Sequence, residues 1–148
     1  MAFQLNTVAF PPNGRIPDIY TCEGEDVPPP LAWSGAPAGT RSFALIVDDP
    51  DAPGGTFCHW AISDIRPTVT SLGDGIPIGA HEAVNDFGQV GYGGPCPPPG
   101  RPHHYRFRLL ALDVARLDVR PQAKCQDVQR AAERHKLAEA KVVGTYAR

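Results

Sequence analysis

A carboxylate at Asp49, imidazoles at His59 and His103 and a phenol at Tyr105 are the side chains of this sequence best suited to work on a small polar ligand. Imidazole changes charge near neutral pH, an ionised carboxylate orients and charges an imidazole, and a phenol donates a hydrogen bond. Two histidines and one carboxylate are also a donor set for one face of a metal ion. A metal-dependent enzyme using Asp49, His59 and His103 is therefore the alternative to a binding pocket, although no His-x-Asp or HExxH spacing accompanies them.

Those residues need elements to hold them. In "SFALIVDD" the row Phe43, Leu45, Val47 and Asp49 shares one strand face, so Asp49 ends an apolar row. In "TFCHWAIS" Phe57, His59 and Ala61 oppose Cys58, Trp60 and Ile62, and both faces are apolar enough for a central strand. In "HHYRFRLLALD" His103, Tyr105, Phe107 and Leu109 face inward, while His104, Arg106 and Arg108 are expected on a solvated face. "LAEAKVVGTY" alternates as a half-exposed closing strand, and "CQDVQRAAERH" carries Val128, Ala131, Ala132 and His135 at the spacing of a helix that packs on a sheet. With 17 prolines and 15 glycines in 148 residues, much of the remainder must be turns and ordered loops. The expectation is one mostly β domain over residues 1–148 with inward polar groups at strand ends, which is how a pocket is built.

Composition narrows the partners. A net charge of −2, with 14 basic and 16 acidic residues interspersed, gives no field for nucleic acid or an anionic membrane. No run approaches the ~20 apolar residues of a spanning helix, and the start has no basic residue before position 15, unlike a signal or transit peptide. The cytoplasm is the expected location. Cys22, Cys58, Cys96 and Cys125 form no CxxC pair, which argues against zinc, and without an export signal they are expected as free thiols.

"DPDAP" (49–53), "HWAISDI" (59–65), "GYGGPCPP" (91–98) and "HHYRFRLLALD" (103–113), in this order, resemble the phosphatidylethanolamine-binding protein family, in its bacterial Raf kinase inhibitor-like branch. "YTCEGEDVPPPLAWSGAPAGT" and "LAEAKVVGTYAR" extend the likeness over nearly the whole chain. The resemblance implies two packed antiparallel β-sheets with peripheral short helices and a small anion pocket for phosphorylated or carboxylated ligands such as phosphoethanolamine-type headgroups. It implies a non-enzymatic binding module with no cofactor and regulation of a kinase or protease partner; the sequence itself leaves a homodimer open. Carried over, the ligand-binding residues are Asp49, His59, Gly94, Cys96, Pro97, His103 and Tyr105. Glycines at 93 and 94 are expected to let backbone approach the ligand. The chain departs from the pattern at His104, where the family has arginine, and at Gly94-Pro95-Cys96, where animal members have Gly-Ser-Gly.

Simpler roles compete for several of these residues. Asp48 and Asp51 are expected as turn residues bonding their own backbone. Trp33 and Trp60 are expected in the core, with Tyr92 either there or at the rim. Cys96 beside His103 is a minor candidate for a nucleophile.

Overall fold

The computed structural model describes residues 2–148. Five antiparallel strands form the larger sheet in the order β6-β4-β3-β7-β8: β3 (Ser42–Asp49), β4 (Phe57–Ile65), β6 (His81–Glu82), β7 (His103–Leu112) and β8 (Lys136–Tyr146). A smaller antiparallel sheet, β1-β2-β5, comprises β1 (Gln4–Asn6), β2 (Leu31–Ser34) and β5 (Ser71–Leu72). The two sheets, with few helices, make the mostly β fold expected. One helix, α1 (Cys125–Arg134), covers the other side of the larger sheet, and a 3-10 turn spans Asp18–Tyr20. No described helix is long and apolar enough to cross a membrane.

Two apolar layers account for this arrangement. Between the sheets Leu5, Leu31 and Trp33 meet Phe43, Leu45, Val47, Phe107 and Leu109. Between the larger sheet and α1, Ala44, Ile46, Leu110 and Leu112 meet Val128, Ala131 and Ala132. Every residue of β3 is buried as a result, and its apolar run has no polar alternation. The helix begins and ends where its periodic apolar positions do, with His135 as its C-cap.

The alternation expected for β4 breaks at a bulge. Val47 pairs with Trp60 and Asp48 with Cys58, leaving His59 without a partner on β3. An extra residue of this kind brings neighbouring side chains to one face. Trp60 and Ile62 therefore join the layer between the sheets, whereas Cys58 and Ala61 join the layer under the helix. A second shift leaves Asp64 with a φ of 60°.

Two further expectations are corrected. The cysteines are paired, Cys22 with Cys96 and Cys58 with Cys125, with Cα–Cα distances of 5.4 and 6.1 Å. Partners 74 and 67 residues apart leave no mark in local spacing. Arg106 and Arg108 do not line a solvated face, because α1 covers that side: Arg108 is 7% exposed, and both bond Asp48.

Candidate functional site

The C-terminal end of β3 and the N-terminal ends of β4 and β7 lie at one edge of the larger sheet, because these three strands are antiparallel neighbours. Asp49, His59, His103 and Tyr105 stand there, each 5% exposed or less. With Cys96 and Pro97 they line a cavity of about 190 Å³. That is smaller than the roughly 300–1,000 Å³ of sites for drug-sized ligands and suits a compact group.

Asp49 and the two histidines are fixed by partners within the protein. Asp49 Oδ2 lies 2.7 Å from His103 Nδ1, and Asp49 Oδ1 accepts a 2.8 Å bond from the Asp51 amide, closing the turn after β3. His59 Nδ1 lies 2.6 Å from the Gly93 carbonyl, and the Gly93 amide donates back to the His59 carbonyl at 3.0 Å. Burial pushes the His59 pKa down, outweighing the Gly93 carbonyl and the charge of Asp49. Burial and then the Asp49 charge push the Tyr105 phenol up, so it keeps its proton. His59 Nε2, His103 Nε2 and Tyr105 Oη make no hydrogen bond among the described residues.

The adjacent histidines separate as strand parity requires. His103 turns into the cavity edge, while His104 is exposed and bonds Asp51 Oδ2 through both its amide and Nδ1. The turn-forming carboxylate is thus Asp49, whereas Asp51 bonds β7 and Asp48 bonds two arginines in mid-sheet. Cys96, in its disulfide, is no free nucleophile.

Gly94 does not line the cavity. Its amide is spent on Asp26 Oδ1 at 2.8 Å, and a Cβ there would strike the Tyr20 carbonyl and the Asp26 carboxylate. A Cβ on Gly93 would strike the Phe87 ring. The glycines therefore serve close packing of the 91–98 loop, rather than approach to a ligand. The Cys22–Cys96 disulfide, a Cys22 amide bond to the Pro95 carbonyl and a Tyr92 hydroxyl bond to the Tyr20 carbonyl clamp the same loop. Arg148 Nε, 2.7 Å from the Pro97 carbonyl, ties it to the last residue of the chain.

Phe87 escaped the sequence reading. Its ring stands 5.4 Å from that of His59 and 4.7 Å from that of Phe57, closing the apolar side of the cavity. The available signal was a large apolar residue in the polar stretch "NDFGQ", where Asn85 Oδ1 accepts the amides of Phe87 and Gln89.

A shared metal ion is poorly served. Both Asp49 oxygens and the Nδ1 atoms of both histidines are committed within the protein. Among the described residues no group of three His, Cys, Asp or Glu side chains is placed to hold an ion.

Residues 6–147 match the family model described as phosphatidylethanolamine-binding protein. A UPF0098 protein of Methanothermobacter thermautotrophicus is 49% identical over 150 residues, covering 97% of this chain and 98% of that protein. A protein of Mycobacterium tuberculosis named putative lipoprotein LppC is 44% identical over 139 residues, covering 93% of this chain and 68% of its own. The crystal structure of YbcL from E. coli, described as a new member of the mammalian PEBP family, superposes with a TM-score of 0.95 at 36% identity, covering 100% of this chain and 99% of that one.

Proposed function

The chain belongs to the phosphatidylethanolamine-binding protein family, a ligand-binding fold, and from that premise we propose that its cavity holds a small anion, a phosphorylated or carboxylated group, without transforming it. The observation that carries this reading is the buried His103–Asp49 pair. One ring nitrogen is fixed by a carboxylate at 2.7 Å and the other has no partner, beside a protonated and unpartnered Tyr105 phenol. When the imidazole holds two protons, the pair presents an N–H to the ligand with its own counter-charge behind it, and such charge-assisted bonds are the strong ones. A rim clamped before binding adds no ordering cost. The lack of a free thiol at Cys96 supports binding over covalent chemistry. Regulation of a kinase or protease is the part of the proposal that rests on family resemblance alone. As to location, two disulfides persist most readily in an oxidising compartment, which weighs against the cytoplasm expected from the sequence.

Titration calorimetry with inorganic phosphate and phosphoethanolamine tests the pocket. His103→Ala should weaken binding by roughly 1.5–3 kcal/mol, the worth of a hydrogen bond to a charged group. His104→Ala, one residue away and outside the cavity, should change it little. The opposite pattern, or unchanged affinity in both variants, overturns the assignment.

A further inference from the structure

The two cavity histidines are held by chemically different partners. His103 Nδ1 meets a carboxylate, but His59 Nδ1 meets the carbonyl oxygen of Gly93 at 2.6 Å. A carbonyl can only accept, so His59 Nδ1 carries the hydrogen, and in the neutral ring Nε2 presents a lone pair. The surroundings favour that neutral ring. His59 is 4% exposed, with the rings of Phe57, Phe87 and Tyr105 at centroid distances of 4.9, 5.4 and 5.3 Å. The ionisable groups around it are Asp48 and Asp49 on β3 and His103 and Tyr105 on β7, and none hydrogen-bonds it. Burial dominates and holds its pKa below the ordinary histidine value.

We propose that His59 Nε2 is a fixed acceptor in the anion pocket and selects an oxyanion that still carries a hydroxyl, namely the monoanion of a phosphomonoester, over sulfate esters and phosphodiesters. The proposal rests on the anion-pocket reading and adds a selectivity to it. The P–OH group donates to His59 Nε2, and the Tyr105 phenol donates to a phosphoryl oxygen. The His103 ring, on the Asp49 carboxylate, serves a further oxygen. A sulfate monoester matches the phosphomonoester monoanion in shape and charge but has no hydroxyl, so it sets an oxygen against the lone pair of His59. A site built to hydrogen-bond a hydroxyl rejects the analogue that lacks one, because its buried partner is left unpaired.

Calorimetry on the full chain with methyl phosphate, methyl sulfate and dimethyl phosphate decides it. Methyl phosphate should bind about ten-fold or more tightly than either competitor at pH 6, as expected for one unpaired buried group. Its affinity should fall as pH rises through the second phosphate ionisation near ~6. Nitrogen NMR of the imidazoles should show His59 with its hydrogen on Nδ1 and its Nε2 resonance shifted when methyl phosphate binds. In His59→Gln the amide can donate as well as accept, so the preference over methyl sulfate should shrink toward unity. Equal binding of methyl phosphate and methyl sulfate, a methyl sulfate affinity with the same pH profile, a His59 ring protonated on Nε2 at pH 7, or a preference surviving in His59→Gln overturns the selectivity and leaves the anion pocket standing. Binding of none of the three probes overturns both.

Discussion

Asp48 bonds Arg106 Nε at 2.7 Å and Arg108 Nη2 at 3.1 Å, and it is fully buried one residue before the end of β3. Arg108 is itself 7% exposed, its Nε has no partner, and its other carboxylate neighbours, Glu133 and Glu139, stand off at 3.8 and 3.7 Å. Removing one member of a buried pair strands the other charge, which costs about 3–5 kcal/mol. Asp48→Ala should therefore lower unfolding free energy by about that amount in urea titrations, and a loss under about 1 kcal/mol would show that Glu133 and Glu139 take over the pairing. Strand parity in the sequence separated His103 from His104, because β7 keeps an unbroken register with β8 from His103 to Ala111 and with β3 from Arg106 to Leu112. The same parity misjudged Arg108. Alternation assigns a side chain to a face, but it carries no information on what covers that face, and here α1 does.

At the scale of elements, the legible ones were long. β3, β4, β7, β8 and α1 each span eight residues or more, enough for a period to declare itself. The smaller sheet, with strands of three, four and two residues, is too short to alternate visibly, and only family resemblance implied a second sheet. The bulge at His59 was equally silent, since neither glycine nor proline marks it in "FCHWAIS". It nevertheless brings His59 and Trp60 toward the same layer, one at the cavity and one in the core. The 91–98 loop gives the element-scale prediction. Gly94→Ala would press a methyl group onto the Tyr20 carbonyl and into Thr21 Cα at 3.0 Å, forcing the clamped rim to shift. Overpacking of this kind costs about 1–3 kcal/mol. The variant should melt lower and bind phosphate more weakly; a melting curve and titration matching the parent would mean that the loop gives way freely.

For the whole molecule, the two disulfides close long loops that no local pattern could reveal, and in the chain-entropy account such loops stabilise by restricting the unfolded chain. One fastens the cavity rim to the segment after the 3-10 turn, and the other fastens β4 to the start of α1. The order of pairing has a separate consequence. Cys22–Cys96 and Cys58–Cys125 interleave along the chain, so neither loop lies inside the other. A protease nick at any one point between Cys22 and Cys125 leaves two pieces still joined through sulfur. Two nicks in different intervals between successive cysteines also release nothing, whereas a nested pairing of the same four residues, cut in the first and third intervals, would shed its central piece. A digest cut once between Cys22 and Cys125 should thus run as a single species of undiminished size on a non-reducing gel and as fragments once reductant is added. A fragment released without reductant by a single cut between Cys22 and Cys125 would mean that the bridges are absent. A break in any one loop between Cys22 and Cys125 would leave the molecule covalently whole, with backbone continuity replaced by sulfur.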